Sequence, residues 1–239
     1  MNGKSGILYK IIRAGTKLLP GVIYILGRPI RRELDNGVRT VLDVGCGKGL
    51  VGRFITRSGK YFTVGVDIFG PDLREACKNH THSDFVQCDV RSLPFRRESF
   101  DVVLCSEVLE HVDKAEGMKL LENLEDIALK KVILSTPVGL LATDPETNRA
   151  QEDESNLYQE HKTGWTAGEL RDLGYKVYSP YFLHKIENCL TGRQSTWTWL
   201  LNIIIQSSVG SLVWISPRFG GHLFCVKEVN NKGRVNPVS

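Results

Sequence analysis

The chain has 239 residues, of which 41% are hydrophobic and 24% charged, and a formal net charge of +4. This composition is typical of a globular protein and excludes an intrinsically disordered chain, while the length suits one sizeable core rather than two full domains. The six cysteines are scattered without a Cys-x-x-Cys pair, which excludes a disulfide framework or a zinc ribbon. We therefore expect a cytoplasmic protein with no secretory signal and no metal ligand set.

The first 40 residues are basic, with 8 Lys and Arg against 2 Asp and Glu, whereas the rest of the chain is nearly neutral. Residues 5–19 place apolar side chains near one helical face and cationic ones on another, and Pro20-Gly21 ends the pattern. We predict a basic amphipathic helical arm over residues 1–39. Such an arm can contact the inner face of a membrane at its periphery, or remain a solvated surface helix.

A short apolar strand over residues 40–44 leads into the loop GCGKG at 45–49. Glycine allows positive φ and close approach to a ligand, and the helix predicted over 48–58 would point free N–H groups at that ligand. Asp43 adds a carboxylate that suits a ligand with a cationic part. The loop lacks the Ser or Thr of a P-loop, and its third glycine comes too early for a dinucleotide fingerprint. Dinucleotide binding and an ordinary βα turn remain alternatives at this point.

Three further predicted strands each end in polar residues. They lie near 62–67, 84–88 and 100–105. Asp67 is the last residue of the first of them, Asp89 follows the second, and the pair Ser106-Glu107 follows the third. Because the carboxyl ends of parallel strands meet at one edge of an open α/β sheet, these side chains should line one ligand site. An acid at the end of the second strand can accept both hydroxyls of a ribose.

Residues 40–141 resemble a class I S-adenosylmethionine-dependent methyltransferase of the small-molecule branch called type 11. The resemblance rests on five landmarks in the order and spacing of that family: VLDVGCGKG, VGVDI, QCDV, LPFRRESFDVV and SEVLEHV. It implies S-adenosylmethionine as the cofactor. It also implies a Rossmann-like, doubly wound α/β fold with a seven-stranded, mostly parallel sheet and an antiparallel last strand.

The resemblance further implies which residues hold the amino-acid end of the cofactor. Gly45 and Gly47 would contact its methionine part, and Asp43 would help to hold its amino group. The backbone around Ser106 would lie near the same end.

The nucleoside end of the cofactor is assigned by the same resemblance. Asp67 would bind the ribose hydroxyls, and Ile68 would pack on the adenine. Asp89 would meet the adenine amino group, and the backbone of Val90 would meet a ring nitrogen.

Candidates for activating the methyl acceptor follow the fourth strand. Glu107 and His111 are four residues apart, so a helical turn would place both on one face. His111 is the natural base near neutral pH, and His161 is a second candidate. The alternative for His111 is that it only orients the cofactor or caps the turn.

The remaining elements continue the alternation of strand and helix. Helices are predicted over 71–79, 114–129 and 166–174, and strands over 131–136, 175–183 and 221–227. This alternation predicts a parallel, doubly wound sheet. Residues 40–239 would form one methyltransferase domain, with a polar insertion at about 140–163 that acts as a lid and a second insertion at about 186–216.

The second insertion contains no charged residue from Gln194 through Pro217. Its apolar part, 197–215, is long enough to cross a bilayer, but its polar residues would lie at depth and the seventh strand would be separated from its sheet. We therefore predict that it packs on the core, or contacts a hydrophobic substrate or a membrane surface.

These features together predict methyl transfer from S-adenosylmethionine to a small-molecule acceptor that is hydrophobic or lipid-linked. No nucleic-acid partner is expected, because the chain has neither an Asn-Pro-Pro-Tyr type motif nor an aromatic-rich basic stripe. Two other hypotheses remain, a protein that binds S-adenosylmethionine without catalysis and a nicotinamide-dependent oxidoreductase. The pattern assigns no oligomeric state.

Overall fold

The computed structural model describes residues 27, 29–34, 37–56, 59–139, 156–178 and 222–229. The segment 5–19, most of the insertion at 140–163 and all of the insertion at 186–216 lie outside these residues. The amphipathic arm, the lid and the apolar insert therefore stay predictions. Among the described residues, no helix combines the length and the apolar character needed to span a membrane.

Seven strands form a single sheet. They are β1 (Thr40–Val44), β2 (Phe62–Asp67), β3 (Asp84–Gln87), β4 (Phe100–Ser106), β5 (Ala128–Pro137), β6 (Lys176–Tyr178) and β7 (His222–Glu228). Their order in the sheet is β3-β2-β1-β4-β5-β7-β6. The first five strands pair in parallel, and β7 runs antiparallel to both β5 and β6. The predicted doubly wound, mostly parallel sheet with an antiparallel last strand is confirmed.

Helices and short 3₁₀ turns connect the strands. The helices are α1 (Leu50–Thr56), α2 (Gly70–Lys78), α3 (Lys114–Ile127) and α4 (Ala167–Asp172), and the turns are Val90–Ser92, Leu109–His111 and Leu157–Gln159. Thr166 and Glu169 form the capping box predicted at the start of α4. The helix predicted to end at 129 stops at Ile127, because Ala128 already pairs with Phe100 as the first residue of β5.

The two faces of the sheet bury separate hydrophobic clusters. Neighbouring strand residues point to opposite faces, so Leu42 and Val103 pack with α3 on one side while Val41 and Val102 lie on the other. The second face is covered in part by the segment 29–34. Burial on both faces explains why these strands are apolar without alternation.

The parallel register brings the ends of the central strands to one edge. Val44 lies opposite Val66 in β2 and Cys105 in β4, and Cys105 lies opposite Leu134 in β5. The loops that follow β1, β2, β4 and β5 therefore leave the sheet side by side. Asp67 and Ser106 are the last residues of β2 and β4 and therefore lie at this edge.

Candidate active site

The loop after β1 has positive φ at Gly45, Gly47 and Gly49, with values of 72°, 50° and 74°. A Cβ on Gly45 would lie 2.2 Å from Cγ2 of Val108, and one on Gly49 would lie 2.0 Å from Oγ1 of Thr81. In contrast, no heavy atom lies within 4 Å of a Cβ built on Gly47. The two outer glycines thus allow close packing within the protein, whereas the backbone at Gly47 faces open space that a ligand can enter.

Asp67 joins the end of β2 to this loop. Its Oδ2 accepts a hydrogen bond of 2.7 Å from the Gly47 N–H, and its Oδ1 accepts one of 2.8 Å from the Phe69 N–H. Burial raises the pKa of the Asp67 carboxyl, and the two backbone donors oppose that rise. Each carboxylate oxygen has a further lone pair, so Asp67 can accept additional hydrogen bonds from a ligand at Gly47.

Asp43 is buried beneath the loop rather than beside the open space. Only 2% of it is exposed, and its Oδ2 lies 2.9 Å from Nε2 of His82. The other ring nitrogen of His82 lies 3.0 Å from Oγ1 of Thr81. Glycine at positions 52 and 65 leaves room for the ring, since a Cβ at either would come within 3 Å of it. The assignment of Asp43 to the cofactor amino group stays a prediction, and the contact seen in the structure is with His82.

The residues assigned to the adenine lie after β2 and β3. Asp89 caps the turn Val90–Ser92, and both of its oxygens accept hydrogen bonds from the Arg91 guanidinium at 2.6–3.0 Å. These bonds hold the pKa of the Asp89 carboxyl below its usual range. Val90 is half-buried against the core, and the Ile68 carbonyl accepts a hydrogen bond from Gln87. The adenine contacts of Ile68, Asp89 and Val90 stay predictions.

A chain of hydrogen bonds runs along the ends of β4 and β5 to β7. Ser135 donates to Oε1 of Glu107 over 2.7 Å, and because its only proton is used there, Ser106 donates to Ser135, also over 2.7 Å. The other oxygen of Glu107 lies 3.1 Å from Nε2 of His222. Ser106 and Glu107 were predicted from the sequence, whereas Ser135 and His222 were not, because only the pairing of β5 with β4 and β7 brings these two residues here.

The helical turn expected over 107–111 does not form as predicted. Glu107 has a φ of 55°, and a 3₁₀ turn begins only at Leu109. The Glu107 N–H donates to the Ser135 carbonyl, and the following Val108 packs against Gly45. Glu107 is therefore directed to His222 instead of sharing a helix face with His111.

Glu110, His111 and His161 form a second cluster next to this chain. Each offers one nitrogen or oxygen atom, and these atoms all lie within 4.8 Å of one another. Glu110 is 3% exposed, and its Oε2 accepts a hydrogen bond of 3.0 Å from Oγ1 of Thr136. Burial raises the pKa of the Glu110 carboxyl well above its usual range, and the charge of Glu107 adds to this rise. No metal ligands were predicted from the sequence, yet the donor atoms of these three residues are close enough together to hold a cation.

His111 has the properties of a neutral imidazole. Burial lowers the pKa of His111, and the neighbouring His161 lowers it further, whereas the hydrogen bond to the Glu160 carbonyl raises it. The His111 and His161 rings lie 5.0 Å apart between centroids. A neutral His111 can accept a proton or ligate a metal ion.

The segment 156–166 is fixed over the turn that carries this cluster. The backbone N–H groups of Lys162 and Thr163 donate to the Glu110 carbonyl at 2.7 and 3.1 Å. Trp165 is completely buried, and its Nε1 donates to the Leu109 carbonyl over 3.3 Å. Trp165 is thus a core residue, and His161 is held close to His111 by backbone contacts on both sides.

The family described as "Methyltransferase domain" matches residues 42–130. Two ubiquinone biosynthesis O-methyltransferases are similar over part of the chain. The one from Coxiella burnetii is 37% identical over 94 residues, covering 37% of this chain and 39% of that protein. The mitochondrial one from Candida albicans is 36% identical over 110 residues, covering 39% and 33%. The chain thus matches between about one third and two fifths of the length of these curated relatives.

Two solved structures share the fold over nearly the whole chain. A SAM-dependent methyltransferase from Thermotoga maritima superposes with a TM-score of 0.59 at 16% identity, covering 93% of this chain and 96% of that one. One from Archaeoglobus fulgidus gives a TM-score of 0.57 at 18% identity, covering 91% and 99%. Residues 42–130 thus match a methyltransferase-domain family, and the chain has the fold of solved S-adenosylmethionine-dependent methyltransferases.

Proposed function

We propose that this protein transfers a methyl group from S-adenosylmethionine to a small-molecule acceptor. The observation that carries the proposal is the 2.7 Å bond between Asp67 and the Gly47 N–H, beside space that is open at Gly47. The family match over 42–130 includes both residues and all the others assigned to the cofactor. In this arrangement Gly47 faces the methionine part while the free lone pairs of Asp67 accept the ribose hydroxyls.

Methyl transfer mainly requires that the acceptor is aligned with the methyl group. The methyl carbon is already activated by the positive sulfur, so holding the acceptor in line supplies much of the rate. An acceptor hydroxyl or amine also has to lose a proton. Glu107 and His111, which follow β4 on either side of Val108, are the groups that we assign to this side of the reaction, with His222 as the partner of Glu107.

The acceptor that we propose is a hydrophobic molecule methylated on oxygen. Support comes from the two relatives named as ubiquinone biosynthesis O-methyltransferases, and from the uncharged stretch of this chain between Gln194 and Pro217. We further propose a cytoplasmic protein that contacts the inner face of the membrane at its periphery, through 5–19 and 197–215. The basic, amphipathic pattern of residues 5–19 supports this contact.

The cofactor assignment is tested by thermal unfolding with S-adenosylhomocysteine and, separately, with NAD. A ligand at about 100 times its Kd stabilises the folded state by about 2.7 kcal/mol, which for a chain of this size raises Tm by roughly 5–10 °C. We expect this rise with S-adenosylhomocysteine and none with NAD. A rise with NAD alone would favour the oxidoreductase.

Measuring product formation distinguishes catalysis from binding alone. We expect S-adenosylhomocysteine to form from S-adenosylmethionine when a phenol with a long alkyl tail is present, and not when the methyl ether of that phenol replaces it. Cofactor binding without release for any hydroxyl or amine acceptor would favour the non-catalytic binder.

Membrane contact is tested by sedimentation with vesicles. We expect the full chain to sediment with vesicles containing anionic lipid, and less so at high salt, because screening weakens the attraction of the basic arm. Deletion of residues 1–20 should reduce sedimentation, whereas vesicles of neutral lipid should bind weakly in both cases. Equal sedimentation with and without vesicles would contradict the proposal.

A further inference from the structure

We propose that Glu110, His111 and His161 bind a divalent cation of the Zn²⁺ type at the edge of the cofactor site. The cation would leave at least one coordination position open, and an oxygen of the methyl acceptor would occupy it. The binding of the cation follows from the geometry of the three side chains alone. Its role in holding the acceptor rests on the methyltransferase function proposed above.

The donor set matches a catalytic transition-metal site in kind and in number. Two imidazoles and one carboxylate, with a fourth position left open, form one of the common ligand sets of catalytic zinc. Bonds of about 2.1 Å place neighbouring donors roughly 3–4 Å apart, and the three donor atoms here already lie within 4.8 Å of one another. The two imidazole nitrogens favour Zn²⁺ or a similar ion over Mg²⁺ and Ca²⁺, which prefer oxygen ligands.

Contacts outside the cluster orient two of the three ligands. Nδ1 of His111 lies 3.1 Å from the Glu160 carbonyl, which can only accept, so Nδ1 carries the hydrogen and Nε2 keeps its lone pair. Oε2 of Glu110 accepts a hydrogen bond from Thr136. Hydrogen bonds of these two kinds commonly fix metal-ligating histidines and carboxylates.

Glu110 is the buried member of the cluster. It is 3% exposed, and its Oε2 accepts the hydrogen bond from Thr136. A carboxylate has about four lone-pair sites, so this one bond leaves positions at which Glu110 can bind a cation.

The cluster lies where an acceptor has to approach the cofactor. Glu110 and His111 lie in the 3₁₀ turn that follows β4, and Val108, between that turn and the strand, packs against Gly45 of the cofactor loop. A bound cation lowers the pKa of a coordinated hydroxyl, which loses its proton to water. A lone pair of that oxygen then forms the bond to the methyl carbon. The carbon–sulfur bond breaks with its electron pair going to sulfur, which leaves neutral S-adenosylhomocysteine and the methyl ether.

The site is tested by calorimetric titration of the metal-free full-length protein with Zn²⁺, in the absence of any cofactor. We expect about one equivalent to bind. His161→Ala and Glu110→Gln should each weaken this binding at least tenfold, while His80→Asn, which removes an exposed histidine outside the cluster, should leave it unchanged. His161 is only half-buried, so His161→Ala should fold even if Glu110→Gln does not, and circular dichroism checks both.

The outcomes separate this inference from the proposed function. Absence of stoichiometric Zn²⁺ binding, or equal affinity in the wild type and His161→Ala, would overturn the cation site. S-adenosylhomocysteine binding is measured on the same preparations and should persist in His161→Ala. Zn²⁺ binding without S-adenosylhomocysteine binding would instead support the site and refute the proposed cofactor.

Discussion

Replacing Asp67 with Ala should abolish the stabilisation of this protein by S-adenosylhomocysteine. In the proposed complex the carboxylate accepts both ribose hydroxyls, and a hydrogen bond to a charged group contributes about 1.5–3 kcal/mol. Loss of two such bonds weakens binding by roughly 10²–10⁴-fold. The variant also loses the acceptor of the Gly47 N–H, which fixes the loop at the ligand. The measurement is the rise in Tm with ligand, expected at roughly 5–10 °C in the wild type and near zero in the variant.

Two further variants show whether the effect belongs to this carboxylate. Asp84→Ala removes an exposed acid at the start of the neighbouring strand β3, and it should keep the full rise in Tm. Asp67→Asn keeps one oxygen that can accept from the loop, so it should fold well and still bind weakly. A rise in Tm of normal size in Asp67→Ala would refute the ribose assignment.

The fold could be predicted from local sequence because each central strand is buried on both faces. Short runs such as Val41–Val44 and Val102–Cys105 are apolar throughout, except for Asp43. The helices between them instead repeat their apolar residues with the period of an α-helix. The carboxyl ends of parallel strands share an edge, so the positions of Asp67, Asp89 and Ser106 followed from the order of the strands. Strand boundaries were close for the same reason.

The contacts within the site could not be predicted in this way. His222 is 115 positions from Glu107 in the sequence, and only the antiparallel insertion of β7 beside β5 brings them to 3.1 Å. Likewise, nothing local indicates that His82 is the partner of Asp43, because the contact depends on two glycines that leave room for its ring.

The spacing of Glu107 and His111 is the clearest failure of a local rule. Two residues that are four apart in the sequence share one helix face only if both lie in a regular helix. Here Glu107 has a positive φ and lies outside the turn. The residue that does join His111 is His161, 50 positions further along, held in place by the backbone contacts of the segment 156–166. The sequence named all three residues but could not tell which of them lie together.

The glycine loop should respond in two different ways to the same substitution at two positions. Gly45→Ala should lower the free energy of unfolding by about 3–4 kcal/mol, because it adds the strain of positive φ to an overlap with Val108. The clash is severe, since the new Cβ would lie 2.2 Å from the Val108 side chain. Differential scanning calorimetry should show a fall in Tm of roughly 8–12 °C.

Gly47→Ala should instead affect ligand binding. Its Cβ enters open space, so only the cost of positive φ remains, about 1–2 kcal/mol. That same space is where the methionine part of the cofactor is proposed to lie, and the added methyl group should weaken S-adenosylhomocysteine binding by at least tenfold.

Gly59→Ala provides the matched control for the Gly47 variant. Gly59 has a φ of 63°, and a Cβ added to it would have no heavy atom within 4 Å, so the substitution carries the same strain and the same freedom from overlap. It lies beyond α1, away from the loop, and should lose a similar amount of stability while binding S-adenosylhomocysteine normally. If Gly47→Ala also bound the ligand normally, the open space at Gly47 would not be the cofactor site, because strain alone cannot distinguish the two variants.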